Sequence, residues 1–149
     1  MKTLQKCEGF TLIEVVVAMG VMSVGLLGLA SLQATSLKLN QSALLRTQAT
    51  NLAYNVIDAM LANKAGVIND EYNQNLPITP HGFVQDYILD TSTIANQDLQ
   101  TWNNALAYTL PQGAGGIMRN GNTITIVVEW NDSQNAEERQ TFVTVTNIQ

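Results

Sequence analysis

The feature that most limits what this chain can fold into is a run of 23 residues, Val15 to Leu37, without one charged side chain. A helix of that length rises roughly 35 Å, enough to cross a hydrocarbon core of about 30 Å. The remainder of the 149-residue chain supplies one modest domain, too little to hide such a run from water and still bury a core of its own. The expectation is a membrane-spanning helix. Glu14 stands at its head, and an ionised carboxylate near hydrocarbon costs on the order of 2 to 3 kcal/mol, so this acid needs a partner or a function. A glutamate that merely snorkels toward headgroups would explain neither its position nor the Gly-Phe pair before it.

The segment ahead of the run, "MKTLQKCEG", has the basic character of a targeting leader. An ordinary secretory signal places its apolar stretch before the cleavage site. Here the leader ends in Gly9 before the apolar stretch begins, so cleavage after Gly9 keeps the helix on the mature chain. Lys2 and Lys6 hold the leader in the cytoplasm and place everything after the span on the far side of the membrane. Cys7 is the only cysteine, which excludes an intrachain disulfide and a cysteine zinc site.

Beyond the span the helical pattern continues. Leu45, Ala49, Leu52, Val56 and Met60 form one apolar stripe, with Arg46, Thr50, Asn51, Asn55 and Asp58 on the other faces. One helix from Phe10 to about Ala65, roughly 80 Å long at 1.5 Å per residue, is expected, with Lys64 in its last turn and Gly66 as a left-handed cap. The following stretch, through the turn-rich "LPITPHG", reads as irregular and polar. Leu99, Trp102, Leu106 and Leu110 then mark a short helix with an apolar edge for the sheet.

The last third reads as antiparallel sheet. Strands over Gly116 to Arg119 and Asn122 to Asn131 flank Asn120-Gly121, a type I′ hairpin signal, and Ile124, Ile126, Val128 and Trp130 alternate along the second strand. A third strand spans about Thr141 to Ile148. The fold class is α+β: a long N-terminal helix, membrane-spanning and then amphipathic, laid on a small antiparallel sheet.

Charge and composition narrow the function. The formal net charge is −5, and after Lys64 two arginines oppose nine acids, so direct nucleic-acid binding is not expected. His81 is the only histidine and reads as a surface loop residue. Asp132, Glu137 and Glu138 lack the spacing and central glycine of a calcium loop and read as a solvated turn. No catalytic residue, metal ligand or cofactor is assigned, and no nucleophile can be matched to a base. A membrane-anchored periplasmic enzyme is therefore the weaker reading.

The run "GFTLIEVVVAMGVMSVGLLGLASLQ" resembles the class III signal of type IV prepilins and pseudopilins, a pilin-like fold family. The resemblance implies that a prepilin peptidase cleaves between Gly9 and Phe10, that Phe10 becomes the N-methylated first residue, and that Glu14 is the acid used in assembly. Physically, Glu14 lies about one helical turn from the new amine, so its carboxylate can pair with the amine of a neighbouring subunit. Gly20, Gly25 and Gly28 let helices approach closely in the membrane, although each alone fits ordinary glycine tolerance. No proline kinks the helix before Pro77, a departure from many major pilins.

The segments "GLLGLASLQ", "NQSALLRTQATNLAYNVIDAMLAN", "LPQGAGGI" and "WND" resemble the PilV family of type IV pilus modification proteins. This implies a minor pilin that supports initiation, assembly or modification of the type IV pilus. Its partners would be the prepilin peptidase, other minor pilins, the major pilin and the inner-membrane assembly platform. A minor pseudopilin of a type II secretion system is the alternative. The implied organisation is a leader over residues 1–9, a membrane and assembly half over 10–37, and a periplasmic domain over 38–149. Within that domain the amphipathic helix runs to about 65, an irregular region to about 110 and the sheet to 149. The implied location is the bacterial inner membrane, single-pass, and then the pilus, its tip included.

Overall fold

The computed structural model describes residues 9–74, 92–132 and 139–147. Cys7 and the leader lysines, the "LPITPHG" loop with His81, and Glu137 and Glu138 lie outside the described residues. The elements are α1 (Leu12–Ala62), α2 (Lys64–Ile68), α3 (Ile94–Thr109), β1 (Ala114–Asn120), β2 (Thr123–Asn131) and β3 (Arg139–Asn147). The strands form one antiparallel sheet in the order β1-β2-β3. The chain divides into two compact units, one ending at Gln41 and one beginning at Ser42.

In the second unit the expected stripe is the buried face of α1: Leu45, Ala49, Leu52, Val56 and Met60 are buried, joined by Ala53 and Ile57. Spacings of three and four put these residues over one side of the helix. They share one hydrophobic core with Leu99, Trp102 and Leu106 of α3 and Ile117, Ile124, Ile126, Val128 and Trp130 of the sheet. The long helix packed on a small three-stranded antiparallel sheet is therefore the observed α+β fold. Thr93 caps α3, its hydroxyl accepting the Asn96 N–H at 3.1 Å, and the Trp102 indole N–H donates to the Leu52 carbonyl at 2.9 Å. That bond gives the buried indole its partner and fixes α3 against α1.

Close approach of α3 to β1 depends on Gly115, where an added Cβ would lie 2.3 Å from Trp102 Cη2 and 2.7 Å from Leu106 Cδ1. Both neighbours are locked in the core, so Gly115→Ala should destabilise the unit by roughly 1 to 3 kcal/mol through overpacking. Chemical unfolding followed by tryptophan fluorescence would measure this directly. An unchanged midpoint would show that α3 slides to accommodate the methyl.

Two expectations about chain reversal need correction. Gly66 does not cap α1. The long helix breaks at Asn63, whose side-chain oxygen accepts the Gly66 N–H at 3.3 Å and starts α2. Gly66 is buried inside α2, and the left-handed residue is Asp70, with φ 60°. The Glu71 N–H bonds the Gly66 carbonyl at 2.9 Å and the Asp70 N–H bonds the Val67 carbonyl at 3.1 Å, the two bonds of a Schellman ending. Aspartate tolerates this conformation better than most side chains, and its carboxylate is anchored by Arg119 at 2.8 Å.

The hairpin is offset by one residue. Asn120 pairs with Thr123, so the loop is Gly121-Asn122 rather than Asn120-Gly121. Only Gly121 of the two has positive φ, at 62°. Type I′ requires positive φ at both central residues, whereas glycine at the first alone is the type II′ pattern.

Candidate functional site

The N-terminal site is built by a helix start. Gly9, Phe10 and Thr11 precede α1, are non-helical and are exposed, so the Gly9–Phe10 peptide bond stands outside the regular helix. Thr11 is the cap. Its hydroxyl accepts the Glu14 N–H at 3.4 Å, while its carbonyl accepts the N–H of Glu14 at 3.1 Å and of Val15 at 3.3 Å. Thr11 and Glu14 hold the cap and third-residue positions of the T-x-x-E spacing that suits a helix start. The Glu14 carboxylate in the first turn also meets the positive end of the helix dipole. Thr11 escaped the reading of the sequence, although "TLIE" carries the signal that would have found it.

From this start, α1 is long and apolar enough to cross a membrane by length and composition. It contains an 18-residue window of mean hydropathy 2.3, none of it buried within the chain. Phe10, Leu12, Ile13 and the valines that follow expose their side chains. Gly20, Gly25 and Gly28 all lie in α1, and an added Cβ at each would meet nothing within 4 Å in the single chain. At about 100° per residue, Gly25 is about 140° and Gly28 about 80° around the helix from Gly20. They spread over a broad arc instead of forming one seam.

Among the described residues of the second unit the titratable group that departs from its ordinary behaviour is Tyr72. Its hydroxyl donates to the Asp98 carboxylate and accepts from the Asn63 amide at 3.2 Å. Burial, and next the hydrogen bond to Asp98, push its pKa from 10.0 up to about 12. This moves the proton further from neutral pH, opposite to what acid–base catalysis needs. The cluster is a clasp that ties the end of α1 to α3. The adjoining groove between these helices, about 170 Å³, is mostly apolar, lined by Leu52, Val56, Ala59, Trp102 and Ala105 with Asn55, Thr101 and the already engaged Asp98.

The clasp makes stability depend on pH. The folded chain holds the Tyr72 proton more tightly than the unfolded chain, so its contribution is complete below pH 10.0 and is lost as pH rises through about 12. Unfolding midpoints should fall across that window. Tyr72→Phe should remove that part of the fall and cost roughly 1 to 3 kcal/mol at neutral pH, because Asp98 and Asn63 lose a buried partner. A tyrosine variant series in which the alkaline fall persists unchanged would assign it to other groups.

Of the three arginines of the second unit, Arg119 pairs with Asp70 at 2.8 Å and Arg139 with Glu129 at 3.1 Å. Among the described residues no three His, Cys, Asp or Glu side chains gather where they could hold a metal ion.

Residues 4–30 match the family model of the prokaryotic N-terminal methylation motif. The motif marks a type IV pilin-like or pseudopilin precursor, and it coincides with the non-helical Gly9–Thr11 segment and the exposed apolar start of α1. Proteins of this class are structural subunits, processed by a prepilin peptidase and assembled with other pilins. No curated protein and no solved structure matches the chain.

Proposed function

We propose that the chain is the precursor of a minor pilin that supports initiation, assembly or modification of a type IV pilus, of the PilV kind. It acts as a structural subunit and not as an enzyme. The observation that carries the reading is the placement of the methylation motif over residues 4–30 on a helix whose capped start leaves Gly9 and Phe10 outside it. A peptidase reads an extended backbone, and a non-helical, exposed junction needs no unwinding to be read. Cleavage after Gly9 frees the amine of Phe10 for methylation, and α1 then holds the subunit in the inner membrane with the sheet domain in the periplasm. Glu14 meets the amine of a neighbour on assembly, and Gly20, Gly25 and Gly28 ease helix approach.

The test is the mass of the mature N-terminus together with the destination of the protein. Mature protein beginning at N-methylated Phe10 and recovered in sheared pili is the expected result. An intact Met1, or a cut elsewhere, would overturn the junction. Correct processing with absence from pili and a secretion defect on deletion would move the chain to the minor pseudopilins of type II secretion, which carry the same signal.

A further inference from the structure

We infer that the outer edge of β3 is a strand-addition site that takes an extended, uncharged segment of another polypeptide chain. The argument begins with which backbone groups point where. In a two-residue hairpin the closing pair, here Asn120 and Thr123, exchanges hydrogen bonds, and the direction of the backbone groups then alternates along each strand. In β1, Gly115, Ile117 and Arg119 therefore point away from β2. Ile124, Ile126, Val128 and Trp130 of β2 point toward β3 and meet Thr146, Thr144, Phe142 and Gln140. Thr141, Val143 and Val145 are left pointing out of the sheet, with Arg139 and Asn147 at the two ends.

The two edges are treated differently. At β1 the outward groups are met one after another. Gln74 exchanges backbone bonds with Ile117, both at 2.8 Å, the Gln74 side chain donates to the Gly115 carbonyl at 3.1 Å, and the Arg119 N–H donates to Asn73 Oδ1 at 3.0 Å. Among the described residues nothing pairs with the outer edge of β3.

That edge also lacks the usual defences against pairing. Its nine residues contain no proline or lysine, carry no charge after Arg139, and pair with β2 one for one without a bulge. The single charge is neutralised by Glu129 at 3.1 Å. Five of the nine residues, Thr141, Val143, Thr144, Val145 and Thr146, are β-branched. A row of unpaired amides and carbonyls at strand spacing is complementary to another strand and to little else. Val143 and Val145, 53% and 59% exposed, stand beside it on the sheet face turned away from α1. The incoming segment should therefore carry apolar or β-branched residues at alternate positions, so that they flank these valines.

A second copy of this chain fits the edge poorly as occupant. Antiparallel β3–β3 pairing would relate the copies by a two-fold axis perpendicular to the sheet. The stretches of α1 laid on the two sheets would then run in opposite directions, whereas chains anchored by the same end favour a common direction. This step alone rests on the membrane anchoring proposed above, and a failure of that reading would show in the N-terminal mass, not at the edge.

The test uses the full chain in detergent micelles and, as probe, an end-blocked, uncharged peptide with the sequence "TITIVV" of β2, whose side chains already pair with β3 from its other side. Amide exchange is followed residue by residue. Without peptide, Thr141, Val143 and Val145 should exchange fast while Phe142, Thr144 and Thr146 are protected. Peptide should slow the first three by roughly tenfold or more and leave the others unchanged. Val143→Pro removes one outward N–H and no bond to β2, so it should keep the protection of Thr144 and lose the peptide effect. The proposal is overturned if the three outward amides are already protected in the free protein, or if saturating peptide leaves them fast. In a Cys7→Ser background, efficient disulfide dimers through Val143→Cys would overturn the choice of occupant in favour of a second copy.

Discussion

Gly9→Val is expected to leave the chain as an uncleaved, membrane-held precursor. The substitution strains nothing in the chain itself. Gly9 lies before α1 without positive φ, and an added Cβ would meet nothing within 4 Å. The effect must therefore arise in the peptidase, where a branched side chain would sit beside the scissile carbonyl in place of a hydrogen. Misplacing a reacting carbonyl by about 1 Å costs on the order of 10²-fold in rate, enough to turn complete processing into a trace on the time scale of growth. Gly9→Ala should fall between the two, since one methyl displaces the backbone less. Immunoblotting for precursor and intact-mass analysis would read both variants. Processing of the valine variant at the wild-type rate, with N-methylated Phe10, would sink the assignment of this junction.

The features legible in the sequence are those set by burial of one face. The stripe from Leu45 to Met60 and the alternation from Ile124 to Trp130 are visible because solvent on one side and core on the other impose periods of 3.6 and 2. The same holds for α3, whose Leu99, Trp102 and Leu106 are buried. The hidden features are long-range or rest on substitutes. A left-handed ending is ordinarily sought at glycine, yet here Asp70 supplies it, held by Arg119 from β1, a partner 49 residues away. The hairpin lies one residue from its sequence signal because Asn120, Gly121 and Asn122 permit two loops, and register with β2 decides between them. The Tyr72–Asp98 bond spans 26 residues, and the cover that Asn73 and Gln74 place on β1 spans more than 40; neither leaves a periodic trace. At the N-terminus the methylation motif is legible in the sequence, and so is the Thr11 cap, whose T-x-x-E spacing is a local signal.

Glu14→Ala and Glu14→Gln should both yield cleaved, membrane-retained protein that is poorly recovered in sheared pili. Glu14 is in the first turn of α1, outside the unit that begins at Ser42, so neither change should alter that unit's stability. In the membrane, removing an acid from an apolar helix lowers the cost of residence. The carboxylate does favour the helix start, but that contribution is only about 0.3 to 1 kcal/mol. Assembly is a larger matter. Inside a helix bundle the Phe10 amine of a neighbour would be left without its carboxylate, and breaking a buried charge pair costs roughly 3 to 5 kcal/mol, a factor above about 10² in incorporation. The two variants separate the roles of this side chain. Glutamine still suits the third position of a capped helix but carries no charge, so equal loss in both variants assigns the effect to charge pairing. Loss in alanine alone would assign it to the helix start that Thr11 and Glu14 share. Wild-type incorporation of both would remove Glu14 from assembly altogether, leaving its place in the first turn as its role.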